Sequence, residues 1–221
     1  MTMSQVIADE GKIEPKNIVT LYGPSHAEEV ALRMPTTLVA AGSSVDSAVF
    51  VQDNFSSETL RVYTTSDILG VELGGSVKNV IAIAAGIIDG IGFGDNTKAA
   101  LITRGISEIT RLGKKMGANP DTFSGLSGVG DLIVTCLSKH SRNRYVGEEI
   151  GKGRTLEKIL DGMEMVAEGV KTTESVYQLQ KKHTISMPIS TAVYNVLYRG
   201  KNPQQEVKEL MTRDLTIEKR Y

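Results

Sequence analysis

Residues 70–89 constrain this 221-residue chain more than any other stretch. They place apolar side chains around the whole circumference of a helix, and Gly74, Gly75 and Gly86 leave room for neighbours to come close. A helix that is apolar all round belongs in the middle of a protein, packed on every side. Its longest apolar run, Val80 to Ile88, is bounded by Asn79 and Asp89 and is too short to span a bilayer. One cation, Lys78, interrupts the stretch. A lysine there must snorkel to water, pair, or face a cavity. If buried, it suits a general base; if at the helix edge, it simply reaches solvent.

Upstream of this helix the pattern is α/β. The sequence predicts a strand at 17–23, a helix at 25–33 with Ser25 as N-cap, and a strand at 36–41. A helix at 45–55 and a strand at 60–65 follow. Alternating strands and helices argue for a parallel sheet. Three strands are few for one that needs cover on both faces, so the domain reads as incomplete. After Ser66 the strand signals stop. Asn96 is expected to cap a helix that buries Ile102, Ile106 and Ile109 and ends at Gly117. Ile189, Val193, Val196 and Leu197 mark another helix closed by Gly200. Asn202-Pro203 with Gln205 opens a last one carrying Val207, Leu210 and Met211. The fold class is thus an α/β remnant followed by an all-α C-terminal domain, divided as 1–66 and 67–221.

The 25 basic and 26 acidic residues nearly cancel, so bulk charge gives no pull toward nucleic acid or membrane. A single cysteine, Cys136, excludes an intrachain disulfide and fits a reducing cytoplasm. It reads as a small buried hydrophobe. His26, His140 and His183 have no metal-ligand spacing, so no metal site is expected.

Four polar segments invite chemistry, and each also has an ordinary reading. Gly23-Pro24-Ser25 lies at a strand-to-helix junction, where ligands of α/β sheets bind; a tight turn would look the same. The glycine-rich Ser124–Asp131 ends in an acid, yet an inter-helix loop with Asp131 as a cap is equally consistent. No Gly-Lys-Ser/Thr follows, so it is not a Walker-type phosphate loop. Ser141-Arg142-Asn143-Arg144 suits a phosphate through the planar arginine fork, or is a solvated turn. Glu168 serves equally as a cap or a surface charge.

Together, GPSHAEEVA (23–31), GGSVKNVIAIAAGIIDG (74–90), GLSGVGDLIVTC (125–136), SRN (141–143) and VAEGVKTT (166–173) resemble the bacterial NAD(P)-dependent glycerol-3-phosphate dehydrogenase family in order and spacing. The likeness extends to the terminal PISTAVYNVLYRGKNPQQEV region. It implies a Rossmann-type first domain and a cytoplasmic enzyme. That enzyme reversibly transfers a hydride between NAD(P)H and dihydroxyacetone phosphate, giving sn-glycerol 3-phosphate for phospholipid synthesis. Lys78 would be the base at the C2 oxygen, and Asp131 would position substrate and lysine. Gly23, Ser25, Ser141, Arg142 and Asn143 would bind substrate. Arg142 would also reach the cofactor, whose site Ala27, Val166 and Glu168 would line. The resemblance and an exposed sheet edge point to a homodimer.

One departure stands out. The family opens with a strand and a Gly-x-Gly-x-x-Gly-like turn, and none precedes Ile18. The chain is therefore expected to be a C-terminal portion that folds its helical part but holds NAD(P) too weakly for turnover. NAD and NADP stay equally open as cofactors. A β-hydroxyacid-type dehydrogenase is the nearest enzymatic alternative, disfavoured by the Ser-Arg-Asn cluster and the SGVGD loop. A non-catalytic helical oligomerisation module is the alternative of another class.

Overall fold

The computed structural model describes residues 1–218. Its elements are α1 (Met3–Gly11), β1 (Val19–Tyr22), α2 (Ala27–Ala31), β2 (Thr36–Gly42), α3 (Val45–Phe55), β3 (Leu60–Thr65), α4 (Ile68–Ile91) and α5 (Asp95–Met116). Then come α6 (Asp131–Leu137), α7 (Arg142–Gly151), α8 (Leu156–Asp161), α9 (Glu168–His183), α10 (Pro188–Arg199) and α11 (Pro203–Met211). The chain divides into two units: residues 1–76 with 113–134, and residues 77–112 with 135–221. The helices α4, α5 and α6 each run from one unit into the other.

In the first unit, β1, β2 and β3 form one sheet in that order. The pair β2–β3 is parallel, as the sequence pattern implies, with Thr36 opposite Leu60. The pair β1–β2 is antiparallel, with Val19 opposite Gly42, which corrects the expectation of an all-parallel sheet. The connecting helices give the reason. At 1.5 Å per residue, α3 advances about 16 Å and returns the chain along a strand, whereas α2, of five residues, covers only about 7.5 Å. Ser25 does not cap α2; His26 holds that position, and the Ser25 hydroxyl instead donates to Gly23 O at 3.1 Å. The helix α1, which the sequence did not announce, is tied to the apolar α4 through Glu72. The Ser4 amide and hydroxyl donate to the two Glu72 oxygens at 2.8 and 2.6 Å.

Beyond Ser66, every regular element among the described residues is helical. The 24-residue α4 is the central helix that the pattern requires; its most apolar window reaches membrane-spanning length but is 89% buried inside the protein. The helix α5 starts at Asp95, so Asn96 lies inside it rather than capping it. Its buried stripe runs through Leu101, Gly105, Glu108, Ile109 and Leu112, leaving Ile102 and Ile106 half-buried. Gly200 closes α10, and the Asn202 side chain caps α11 by accepting from Gln205 N. Met211 is 77% exposed and takes no part in that helix's buried face.

In the second unit, α4 and α7 touch backbone to backbone. A Cβ on Gly86 would run into the Arg144 carbonyl, and one on Gly147 into the Ile83 carbonyl. Gly90 and Gly151 repeat the arrangement one turn on, against Glu148 and Ile87. Backbone has no rotamer with which to give way, so overpacking here cannot be relieved cheaply. Gly86→Ala is expected to cost at least about 2 kcal/mol, read as a lowered denaturation midpoint. An unchanged midpoint would mean that the helices do not meet along this seam.

Candidate active-site residues

The first unit carries four of the residues singled out by sequence. Gly23 follows β1, is buried, and has φ +148, where its missing Cβ would sit 3.0 Å from Thr37 O. Ser25 and Ala27 are exposed immediately after it. Asp131 opens α6 and is only 2% exposed, so it is a buried carboxylate at a helix start. The glycine-rich segment before it is a π-helical turn, Leu126–Gly130, rather than a flexible loop. Gly125, Gly128 and Gly130 have no positive φ. Gly128 is needed for close packing instead, because a Cβ there would enter the Phe123 backbone. Asp67 braces the segment leading into this turn. Its Oδ2 accepts from Asn119 N at 3.0 Å and Thr122 Oγ1 at 2.6 Å, and its Oδ1 accepts from Gly70 N at 3.0 Å.

The second unit carries the others. Lys78 is half-buried on α4 rather than fully buried, between Val77 and the buried Asn79. The start of α7 is a capped helix N-terminus rather than a solvated turn. Ser141 is 4% exposed, and its hydroxyl accepts from Arg144 N at 3.2 Å. Arg142 occupies the first helical position and is exposed. Its Nη1 donates to Val166 O at 3.0 Å. Asn143 is buried, and its Oδ1 accepts from Gly169 N at 2.8 Å, which caps α9. Val166 and Glu168 are exposed on either side of buried Ala167.

Gly169 brings these pieces together, and sequence reasoning passed over it. A Cβ there would lie 2.7 Å from Asn79 O and 2.8 Å from Asn143 Oδ1. The start of α9 therefore seats against α4 one residue past Lys78 and against α7 one residue past Arg142. The only signal available was a glycine inside VAEGVKTT, beside a glutamate that drew attention first. Asn79 was visible only as the boundary of the apolar run, and Arg144 only as the last member of the polar cluster at 141–144.

The thiol of Cys136 is fully buried and pushed up to about 12, chiefly by desolvation and against the opposing pull of Lys78 and Lys98. It is an inert neutral group, as read from the sequence. Lys78 lies among buried apolar residues of α4, between Val77 and the Val80–Ile83 run. Arg142 presents its guanidinium at a helix N-terminus, where unpaired amides already favour anions. This arrangement can bind a phosphate dianion and exchange a proton with an adjacent oxygen.

The family model described as NAD-dependent glycerol-3-phosphate dehydrogenase C-terminus matches residues 67–208, and the corresponding N-terminus model matches residues 1–48. A protein of Salinibacter ruber named glycerol-3-phosphate dehydrogenase (NAD(P)+) 2 is 62% identical over 96% of this chain and 62% of its own length. One of Chlorobium chlorochromatii, named glycerol-3-phosphate dehydrogenase (NAD(P)+), is 57% identical over 97% of this chain and 65% of its own length. The crystal structure of glycerol-3-phosphate dehydrogenase from Coxiella burnetii superposes with a TM-score of 0.90 at 39% identity, covering 95% of this chain and 64% of that one. The chain therefore spans somewhat under two thirds of the length of these relatives.

Proposed function

The chain belongs to the NAD-dependent glycerol-3-phosphate dehydrogenase family, and we propose that it serves the NAD(P)-dependent interconversion of dihydroxyacetone phosphate and glycerol 3-phosphate. The observation that carries this reading is the α4–α7–α9 junction. There Gly169 of α9 meets the Asn79 carbonyl, next in sequence to half-buried Lys78, and the Asn143 side chain, next in sequence to Arg142.

In this reading Lys78 holds the proton that passes to the C2 oxygen when the ketone is reduced, and takes it back in the reverse direction. Arg142 binds the phosphate, aided by the N-terminal amides of α7. Ser141 and Asn143 do so mainly by shaping that terminus, since their oxygens already cap α7 and α9. Gly23, Ser25 and Asp131 are assigned substrate contacts by family resemblance. The residues assigned to the cofactor fit it. Exposed Val166 offers an apolar surface, with the Arg142 guanidinium hydrogen-bonded to its carbonyl and Glu168 nearby in sequence. Ala27 adds a small residue at the start of α2. When bound, a nicotinamide supplies or accepts the hydride.

We assign residues 1–66 to the nucleotide side and 67–221 to the substrate side. The product suits phospholipid synthesis, and the setting is taken as cytoplasmic with a homodimeric enzyme. The test is steady-state kinetics with dihydroxyacetone phosphate in the full-length enzyme. Arg142→Ala is expected to raise KM by about 10-fold or more, and Arg142→Lys by less, because lysine keeps the charge but loses the planar fork. Wild-type KM in both variants would make Arg142 a surface residue.

A further inference from the structure

Arg144 follows Asn143 on α7 and points into the protein. Its Nε donates to Asp89 Oδ2 at 2.8 Å, its Nη2 forms an ion pair with the same oxygen at 2.8 Å, and Lys98 closes on Asp89 Oδ1. Glu148 Oε2 lies 3.3 Å from Arg144 Nη2. The Arg144 and Asp89 side chains are 17% and 14% exposed, so this pair is largely taken from water. Asp89 stands on α4, about three turns beyond Lys78 and on the same face.

A pair this buried is a weak source of stability, because desolvation offsets most of its attraction. What it supplies is register. The α4–α7 contact is made by glycines and main chain. The directional Nε–Oδ2 hydrogen bond, with the ion pairs around it, sets axial position. We propose that Arg144 is a positioning residue: its pairing with Asp89 fixes where the N-terminus of α7, with Arg142, stands along the helix that carries Lys78, and so tunes the enzyme toward phosphorylated substrate. This rests on the functional reading above.

The experiment compares dihydroxyacetone phosphate with unphosphorylated dihydroxyacetone in the full-length enzyme, for wild type, Arg144→Met, Arg144→Lys and Asp89→Asn. The expected result for Arg144→Met is a KM for the phosphorylated substrate raised about 10-fold, with kcat and the weak turnover of dihydroxyacetone within about threefold of wild type. Arg144→Lys should recover part of the loss, since it keeps the charge on Asp89. Asp89→Asn, which retains one acceptor, should fall between. If Arg144→Met does not fold, the Arg144→Lys and Asp89→Asn values decide alone. Equal losses on both substrates, or unchanged KM in every variant, would overturn the positioning role. A wild-type enzyme that ignores dihydroxyacetone phosphate would instead remove the functional reading itself.

Discussion

Replacing Lys78 by alanine in the full-length enzyme is expected to cut turnover by about 10²–10⁴-fold, the usual worth of a positioned general acid or base. Cofactor affinity should be nearly unchanged, because Lys78 is assigned to the substrate oxygen. The expectation follows from its setting. It is the one cation along residues 70–89, half-buried, and one residue before the Asn79 carbonyl on which the Gly169 junction is seated. Lys78→Arg should rescue little, since an arginine stays charged and cannot give up its proton. Steady-state turnover and cofactor titration together check this. Turnover of Lys78→Ala within threefold of wild type would leave the proton without its carrier.

The second large effect concerns stability. Glu108 is 2% exposed on α5, yet it is a working cap for a different helix. Its Oε1 accepts from Ile189 N at 2.6 Å, and its Oε2 accepts from Ser190 N at 3.0 Å and Ser190 Oγ at 2.9 Å. The N-cap residue of α10 is Met187, which has no side-chain acceptor to offer, so a distant carboxylate satisfies the helix start. Glu108→Ala leaves these buried donors without their acceptor and is expected to cost about 3 kcal/mol by chemical denaturation. A cost below about 1 kcal/mol would mean that water replaces the carboxylate. Burial raises the Glu108 pKa above the ordinary glutamate value, against the lowering effect of its Ile189 and Ser190 hydrogen bonds and of Arg111. A raised folded-state value has a definite sign. The contribution to stability is fully present below the unfolded pKa and is lost as pH rises through the folded one. Wild type should therefore lose stability as pH rises above the ordinary glutamate range, and Glu108→Gln should lose less. Parallel stability–pH curves for the two would contradict the assignment.

The legibility of this fold in its sequence follows the range of the forces involved. The helix α3 and strand β3 fall where local signals put them, because Ser44 caps the one and alternating β-branched residues make the other. The helix α4 was legible because an all-round apolar pattern admits only burial. The antiparallel β1 was not, because strand direction depends on what α2 can span rather than on the strand's residues. Sequence marked Ser141, Arg142 and Asn143 as one cluster. The fold separates them into an N-cap, an exposed guanidinium and a cap for another helix. The roles of Arg142 and Asn143 depend on Val166 and Gly169, 24 and 26 positions downstream of them. Glu108 went unremarked in the sequence, and Asp89 marked only the end of an apolar run, since their partners lie on other helices.

The most direct test of the central claim is a coupled mass balance on the full-length enzyme. Dihydroxyacetone phosphate and NADH or NADPH are supplied, and cofactor oxidation is followed alongside glycerol 3-phosphate formation. One equivalent of glycerol 3-phosphate per cofactor oxidised is the expected result, with the rate collapsing in Lys78→Ala. Cofactor left unoxidised with dihydroxyacetone phosphate present, or oxidised without glycerol 3-phosphate appearing, would contradict the assignment of Lys78 and Arg142 to this reaction.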